Sequence, residues 1–330
     1  MTLTRRIPTP AAAAIAAAAP LGERALIDAS RAGAAWALAS RASWTTRRRR
    51  TELLTWAIPP APGVRVMEGT LGGRPSERYE SAHARRGGVL LYLHGGGFTV
   101  GSPRGHRSMV TRLAAATGLV VHSLDYRLAP EHPFPAALDD VWSAYLELRE
   151  VEEERARHDG DRAQVVVGGD SAGGALSLSL AVRALARDVP LPAALALVCP
   201  VADLTEDHGP RRPYGLREPL LTRERMDVFA GSYAAGCDRT DPELSPLLAD
   251  DDVLGKLPPV VLDSAGDDPL RLDAQLLAER LTALDVPLDH VHHEGRFHDF
   301  HLLAGVVAPA SAAVEGLGAR LRAALAMPVV

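Results

Sequence analysis

The sequence predicts an α/β fold in which a mostly parallel central sheet carries helices on both faces. From about residue 56 onward, short apolar segments rich in Val and Leu alternate with longer segments of helical pattern. The apolar segments are compact and continuous, which is typical of strands buried on both faces. The chain has 330 residues, of which 47% are hydrophobic and 23% charged, and this composition provides material for a large core.

Six apolar segments are predicted as buried strands, and four helical segments lie between them. The predicted strands are 89–93, 119–124, 164–167, 194–199, 260–264 and 288–292. The predicted helices are 106–117, 135–150, 172–187 and 271–284. Strand and helix therefore follow one another as in a repeated βα unit.

Two segments stand outside this alternation. Residues 1–50 are rich in Ala, and 203–240 contain a Pro- and Gly-rich stretch followed by a helix-like run. Functional sites of α/β proteins lie at the carboxyl ends of the strands, where such segments can cover them. We therefore expect one domain over 1–330, with a cap from about 1–50 and 203–240. Its core would comprise about 56–202 and 241–330.

Charge and hydropathy restrict the kinds of partner. The net charge of −5 and the isoelectric point of about 6.2 provide no basic surface for a polyanion, so no nucleic acid is expected. No stretch of 18 or more strongly apolar residues occurs, so no membrane span is predicted. A small-molecule substrate is the expected partner, and the chain could form a homodimer.

The cysteines and the N-terminus bear on localisation. Cys199 and Cys237 are the only cysteines and form no close pair, so we predict neither a disulfide framework nor a metal or cofactor site. A cytoplasmic protein is expected. The alternative is an export signal, because basic residues precede the apolar run Ala11–Ala19. Alanine is only weakly hydrophobic and is the best helix former, and no clean cleavage site follows, so an N-terminal helix is favoured.

The segment Gly169–Gly173 carries the pattern G-x-S-x-G. A buried strand is predicted just before it and a helix just after it, so Ser171 would lie at a tight strand-to-helix turn. Flanking glycines leave room in that turn, and the helix N-terminus adds positive potential near a developing oxyanion. A phosphate-binding loop is the alternative, but it requires a lysine in the motif and Lys256 is the only one in the chain. Ser171 is therefore predicted to be a nucleophile.

The segment His94–Phe98 follows the first predicted strand and contains three consecutive glycines. Without Cβ atoms, their backbone N–H groups can approach a substrate oxygen, as an oxyanion hole requires. A flexible linker is the alternative. The glycines serve the same reaction as Ser171, so the oxyanion hole is favoured.

A serine nucleophile needs a base, and the base needs an orienting carboxylate, in the order Ser, acid, His. Asp268 follows the strand 260–264, and His298 follows the strand 288–292, so these two are the first choices. The neighbouring Asp267 is the competing acid. The competing histidines are His290, His292, His293 and His301, and the first two would share one strand face. They show no recognisable pattern of metal ligands.

Together, these motifs resemble those of the hormone-sensitive-lipase-like branch of the α/β-hydrolase esterases. The matching segments occur in the family's order: His94–Phe98, Asp125–Asp140, Gly169–Gly174 and Asp268–Leu270. The resemblance extends from about residue 60 to the C-terminus. It implies an α/β-hydrolase fold with a helical cap formed by the N-terminal helices and the insertion.

The resemblance also implies roles for individual residues. Ser171 would be the nucleophile, His298 the general base and acid, and Asp268 the residue that orients the histidine. The amides of Gly96, Gly97 and Ala172 would form the oxyanion hole. The Asp125–Asp140 segment would be scaffold.

Two positions depart from the family pattern. Asp299 replaces the usual glycine after the catalytic histidine, and Gly266 replaces an acidic residue two positions before the catalytic aspartate. A carboxylate beside His298 would raise the pKa of the imidazole and shift the pH optimum upward.

The expected function is hydrolysis of small soluble carboxylic esters through an acyl-enzyme intermediate. Lactone or amide hydrolysis by the same residues is the alternative within enzymes, because the motifs do not specify the leaving group. A non-catalytic small-molecule receptor is the alternative outside enzymes. The presence of all three triad residues argues against it.

Overall fold

The computed structural model describes residues 17, 22–56, 58–84, 88–160, 162–205, 212–215 and 217–326. Within these residues the chain forms one sheet of eight strands. The strands are β1 (Val64–Leu71), β2 (Arg74–Ser81), β3 (Val89–Leu93), β4 (Val120–Leu124), β5 (Val165–Asp170), β6 (Leu195–Val198), β7 (Val260–Ala265) and β8 (Leu288–His293). Their order in the sheet is β1-β2-β4-β3-β5-β6-β7-β8.

The sheet is mostly parallel, as predicted. The pairs β1–β2 and β2–β4 are antiparallel, and the pairing from β4 through β8 is parallel. The carboxyl ends of β3, β5, β7 and β8 therefore lie at one edge of the sheet, where α/β proteins place their sites.

Helices cover both faces of the sheet. They are α1 (Glu23–Ala37), α2 (Trp44–Thr55), α3 (Pro103–Thr117), α4 (Ala136–Asp159), α5 (Ala172–Ala186), α6 (Arg223–Ala234), α7 (Asp251–Leu254), α8 (Arg271–Ala283) and α9 (Ala308–Ala326). Alternate strand residues point to opposite faces. In β3, Leu91 packs in the core layer that includes α4, α5 and α8, whereas Leu90 packs in the layer that includes α3 and α9.

All six predicted strands and the four predicted helices are present, with small differences at their ends. Helix α3 begins at Pro103, three residues earlier than predicted, because the Ser102 hydroxyl accepts a hydrogen bond from Gly105 N–H at 3.1 Å and proline suits the first turn. The β1–β2 hairpin and helix α9 were not predicted. In β1 only Leu71 is buried, so the hairpin lacks a buried strand's apolar pattern.

No helix formed by the described residues is long and apolar enough to cross a bilayer. The Ala11–Ala19 segment, which raised the question of an export signal, lies outside the described residues apart from Ala17.

Candidate active site

The turn between β5 and α5 holds Ser171 in an unusual backbone conformation. Its φ is 52° and its ψ is −113°, a region that residues with side chains rarely adopt. Glycines on both sides allow the turn to approach β3: a Cβ at Gly169 would lie 2.2 Å from the carbonyl oxygen of Leu93, and one at Gly173 only 1.8 Å. The two glycines are therefore required sterically, and the turn presents Ser171 above the sheet edge.

Three buried side chains form a chain of hydrogen bonds at this edge. The Ser171 Oγ lies 2.9 Å from Nε2 of His298, and Nδ1 of His298 lies 2.8 Å from Oδ2 of Asp268. The other carboxylate oxygen of Asp268 accepts the N–H of Leu270 at 2.8 Å. With Nδ1 donating to the carboxylate, Nε2 is free to accept the serine proton. The structure thus brings together the three residues predicted for nucleophile, base and acid.

The competing acid, Asp267, has a different environment. Its carboxylate pairs with the Arg217 guanidinium at 2.9 Å, and its side chain is 27% exposed. Asp268 is fully buried against the imidazole. Of the two adjacent carboxylates, only that of Asp268 contacts the His298 imidazole.

The predicted oxyanion residues belong to the glycine loop after β3 and to the first turn of α5. Gly96 and Gly97 have φ values of 121° and 57° and line the same pocket as Ser171. A Cβ at Gly97 would lie 2.4 Å from the Phe229 ring of α6, so a side chain does not fit there. Ala172 is the first residue of α5, and the N–H groups of a helix's first turn have no acceptor within the helix.

The glycine loop rests on buried aromatic residues. The His94 imidazole stacks on the Tyr126 ring with centroids 4.3 Å apart, and the Tyr126 hydroxyl donates to the His94 carbonyl at 2.6 Å. Burial lowers the pKa of His94 to about 3, so this imidazole is neutral. Tyr126, in the segment predicted to be scaffold, therefore supports the loop that follows β3.

The pocket above Ser171 has a volume of about 120 Å³ and a mainly apolar lining. Helices α1 and α2, the segment before α6, and α6 itself all contribute to it. Their apolar contributions include Ala34, Ala37, Leu54, Leu220, Leu221 and Phe229.

Two carboxylates act on His298. Burial disfavours the imidazolium, but Asp268 and Asp299 outweigh burial and raise the pKa of His298 well above its ordinary value. Asp299 follows in sequence and places Oδ2 3.0 Å from Nε2. Burial in turn raises the pKa of Asp299 to about 7. The raised pKa of His298 has the direction expected from the sequence for a carboxylate at position 299.

Removing the Asp299 charge should move the pH profile. With His298 as the predicted base, the reaction needs the neutral imidazole, so we expect kcat/KM to rise with pH through a midpoint above 6.5. In Asp299→Asn the imidazolium loses one stabilising carboxylate while Asp268 and the nearby Glu218 remain, so we expect the midpoint to move to lower pH. The pH dependence of kcat/KM measures it. The exposed Asp285→Asn serves as control, and a midpoint that stays or rises in Asp299→Asn would refute the electrostatic coupling.

The sequence alone does not identify Glu218 as a residue of this site. It lies in the insertion before α6, and its buried carboxylate accepts the N–H of His298 at 2.7 Å and the N–H groups of Leu220 and Leu221 at 2.5 and 2.8 Å. Burial raises the pKa of Glu218 to about 7, against the three N–H donors that favour the carboxylate. Glu218 therefore ties the insertion to the backbone of the loop that carries His298. A lone glutamate in a loop carries no signal for this role.

A buried ion pair between Asp170 and His106 also lines the pocket. Asp170, at the end of β5, accepts the Tyr92 hydroxyl at 2.6 Å and contacts Nε2 of His106 at 3.2 Å. Burial opposes both charges, but the pairing outweighs it: the pKa of Asp170 falls to about 2 and that of His106 is raised. This pair fixes the residue directly before Ser171.

The competing histidines have structural partners. His290 and His292 both contact the Ser264 hydroxyl, at 2.8 and 2.9 Å, which places them on one strand face as expected from their spacing. His293 and His301 both contact Oδ2 of Asp263 at 3.1 Å.

Among the described residues, two clusters have the composition and spacing of metal ligands. One comprises Cys199, Asp268 and His298, whose imidazole and carboxylate already bond to each other. The other comprises Asp263, His293 and His301, where Arg320 pairs with the remaining oxygen of Asp263. In this second cluster the carboxylate charge is therefore already compensated.

The comparisons with known proteins agree with the fold. The family model for the alpha/beta hydrolase fold matches residues 90–302. The chain is 37% identical over 241 residues to the carboxylesterase NlhH of Mycobacterium tuberculosis, covering 72% of this chain and 74% of that protein. It is 36% identical over 269 residues to an acetyl-hydrolase of Streptomyces hygroscopicus, covering 81% and 84%.

A solved structure gives the same result. The crystal structure of an esterase from the bacterial hormone-sensitive lipase family superimposes with a TM-score of 0.80 at 32% identity, covering 91% of this chain and 98% of that one. The fold and the site define an α/β hydrolase. The chain belongs to the hormone-sensitive-lipase-like family of α/β-hydrolase esterases.

Proposed function

We propose that this protein hydrolyses small soluble carboxylic esters, with Ser171 as nucleophile, His298 as general base and acid, and Asp268 as the residue that orients the imidazole. The observation that carries the proposal is the hydrogen-bond chain from Ser171 through His298 to Asp268, buried below an apolar pocket. Nucleophile, base and orienting carboxylate in such contact are the parts that acyl transfer requires.

In the acylation step, Ser171 Oγ attacks the ester carbon while Nε2 of His298 removes its proton. The developing oxyanion accepts hydrogen bonds from the amides of Gly96, Gly97 and Ala172. The imidazolium then donates its proton to the departing alcohol, and the acyl group remains on Ser171. Asp268 stabilises the imidazolium and keeps the tautomer that makes Nε2 the base.

In the deacylation step, a water molecule takes the place of the alcohol. Nε2 of His298 accepts one of its protons as the water oxygen attacks the acyl carbon. Collapse of the tetrahedral intermediate breaks the bond to Ser171, and His298 returns the proton to Oγ. The products are the carboxylic acid and the free enzyme.

We infer the substrate size from the cap, which we assign to residues about 1–50 and 203–240. The pocket of about 120 Å³ is bounded by helices α1 and α2 and by Phe229 of α6. Large aromatic residues make up only 5% of the chain, so these segments offer little of the broad apolar surface that adsorption to lipid needs. The names of the relatives, a carboxylesterase and an acetyl-hydrolase, support a small acyl group.

A p-nitrophenyl ester series tests this inference. We expect kcat/KM to peak at roughly two to eight acyl carbons, as suits an apolar pocket of this size, and to fall for longer chains. Rate should rise smoothly with the concentration of monomeric substrate. A maximum on long-chain esters, or a jump in rate when the substrate forms micelles, would contradict the inferred substrate size and indicate an interfacial lipase.

Lactone or amide hydrolysis uses the same residues and differs only in the leaving group. A panel of esters, lactones and anilides separates these activities, and we expect the highest kcat/KM on esters. A receptor that does not turn over substrate would fail to react with a serine-directed phosphonate, whereas the proposed enzyme incorporates one equivalent at Ser171.

A further inference from the structure

Asp299 supplies a carboxylate to the catalytic pocket in addition to that of Asp268. It lines the pocket together with Ser171 and His298, and its side chain is 5% exposed. Its Oδ2 lies 3.0 Å from Nε2 of His298, although the hydrogen bond of Nε2 is made with Ser171. Its Oδ1 is buried and has no hydrogen-bond partner among the residues that the structure describes. A buried carboxylate oxygen in this condition is suited to accept a hydrogen bond from a molecule that enters the pocket.

The backbone at this position is also unusual. Asp299 has a φ of 49° and a ψ of 32°, in the left-handed region where glycine is unstrained and where aspartate and asparagine are the best tolerated alternatives. The chain thus carries both backbone strain and a buried carboxyl group next to the proposed base. Strain and unpaired polarity that coincide at a reacting centre point to a role in the reaction.

The two steps of the proposed reaction place different demands on Nε2. In acylation its hydrogen-bond donor is Ser171, already 2.9 Å away. Once the serine oxygen carries the acyl group it has no proton to donate, so the next donor is the molecule that accepts the acyl group. A water molecule has two O–H groups, of which Nε2 can take only one. The second O–H group needs a hydrogen-bond acceptor close to Nε2, and the carboxylate of Asp299 lies at that position.

We propose that Asp299 accepts the second O–H of the hydrolytic water and thereby makes water, in preference to an alcohol, the acceptor of the acyl group. This rests on the acyl-enzyme function proposed above. One water proton passes to Nε2, the water oxygen bonds to the acyl carbon, the carbon–Oγ bond breaks, and Nε2 returns the proton to Oγ. Asp299 holds its hydrogen bond throughout and exchanges no proton. An alcohol has a single O–H, which Nε2 uses, and gains nothing from Asp299.

The test measures partition of the acyl-enzyme between water and methanol. Wild type and Asp299→Gly hydrolyse p-nitrophenyl acetate in buffer with added methanol, each at a pH on the plateau of its own profile, and methyl acetate and acetate are quantified. We expect the ratio of methyl acetate to acetate to rise at least about fivefold in Asp299→Gly, because only the reaction with water loses a hydrogen bond. Without methanol, kcat and KM should fall together while kcat/KM, which reports acylation, changes by less than about threefold.

Two further variants control this result. Asp285→Gly makes the same chemical change at an exposed residue with a similar backbone, φ 56°, in the loop between α8 and β8, and should leave the partition ratio at the wild-type value. Asp299→Asn keeps a side-chain oxygen that can accept a hydrogen bond from the second O–H of the water, so its ratio should lie near that of wild type.

An unchanged partition ratio in Asp299→Gly would overturn the proposal. So would an equal loss in kcat and kcat/KM, which a merely structural role predicts. Failure of the underlying function is seen separately: the wild-type enzyme would then neither release acetate nor bind a phosphonate at Ser171.

Discussion

Replacing Ser171 with alanine should abolish ester hydrolysis and leave the fold intact. The serine oxygen is the only group at this position that can form the acyl-enzyme, and loss of the nucleophile in a serine triad costs on the order of 10⁶ in kcat. Alanine fits the turn, because among the described residues the Ser171 side chain donates only to His298, and the glycines that the turn requires flank it. Turnover of a p-nitrophenyl ester and the thermal unfolding midpoint are the two measurements.

A second serine on the same helix provides the matched control. Ser179 in α5 is buried and, within the part of the chain that the structure describes, donates only to the carbonyl of Ala175, at 2.9 Å, so Ser179→Ala should retain turnover close to that of wild type. Residual activity of Ser171→Ala above about a hundredth of wild type would be evidence against the covalent mechanism.

The sequence predicts those parts of the fold in which a local pattern of apolar residues corresponds directly to burial of the same residues. Strand β3 is buried at all five positions, and its Val and Leu residues read directly as a strand of a parallel sheet. The β1–β2 hairpin lacks that link. Its residues are mostly polar and partly exposed, so its pairing with β4 depends on tertiary contacts that no local pattern encodes.

The residues of the candidate site likewise differ in whether a local sequence pattern predicts them. Ser171 and the glycine loop are identified by local backbone requirements, since only glycine can approach Leu93 or Phe229 so closely. Asp268 and His298 follow from chain order and from their place after a strand. Glu218 could not be found in this way, because its contact with the N–H of His298 joins segments 80 residues apart. The pairing of Asp170 with His106, which lie 64 residues apart in the chain, likewise depends on how β5 and α3 meet in three dimensions.

The second large effect concerns the two adjacent aspartates that follow β7. Asp268→Asn should lower kcat by about 10⁴, because an amide at this position favours the wrong tautomer of His298 and cannot stabilise the imidazolium. Asp267→Asn is the matched control in the same loop and makes the same chemical change. Its carboxylate pairs with the partly exposed Arg217 and does not contact His298, so we expect a loss of less than about threefold.

The contrast between the variants depends on position alone. Both are isosteric and remove one negative charge from the loop, so general electrostatic effects are similar in the two. Asp268 also accepts the N–H of Leu270 through Oδ1, a contact that the asparagine carbonyl can retain, and both variants should therefore fold. Steady-state kcat on one short-chain ester, with the unfolding midpoint as a check on folding, decides the assignment. Equal losses in the two variants would show that the imidazole is not oriented by Asp268, and the proposed triad would then have to be reassigned.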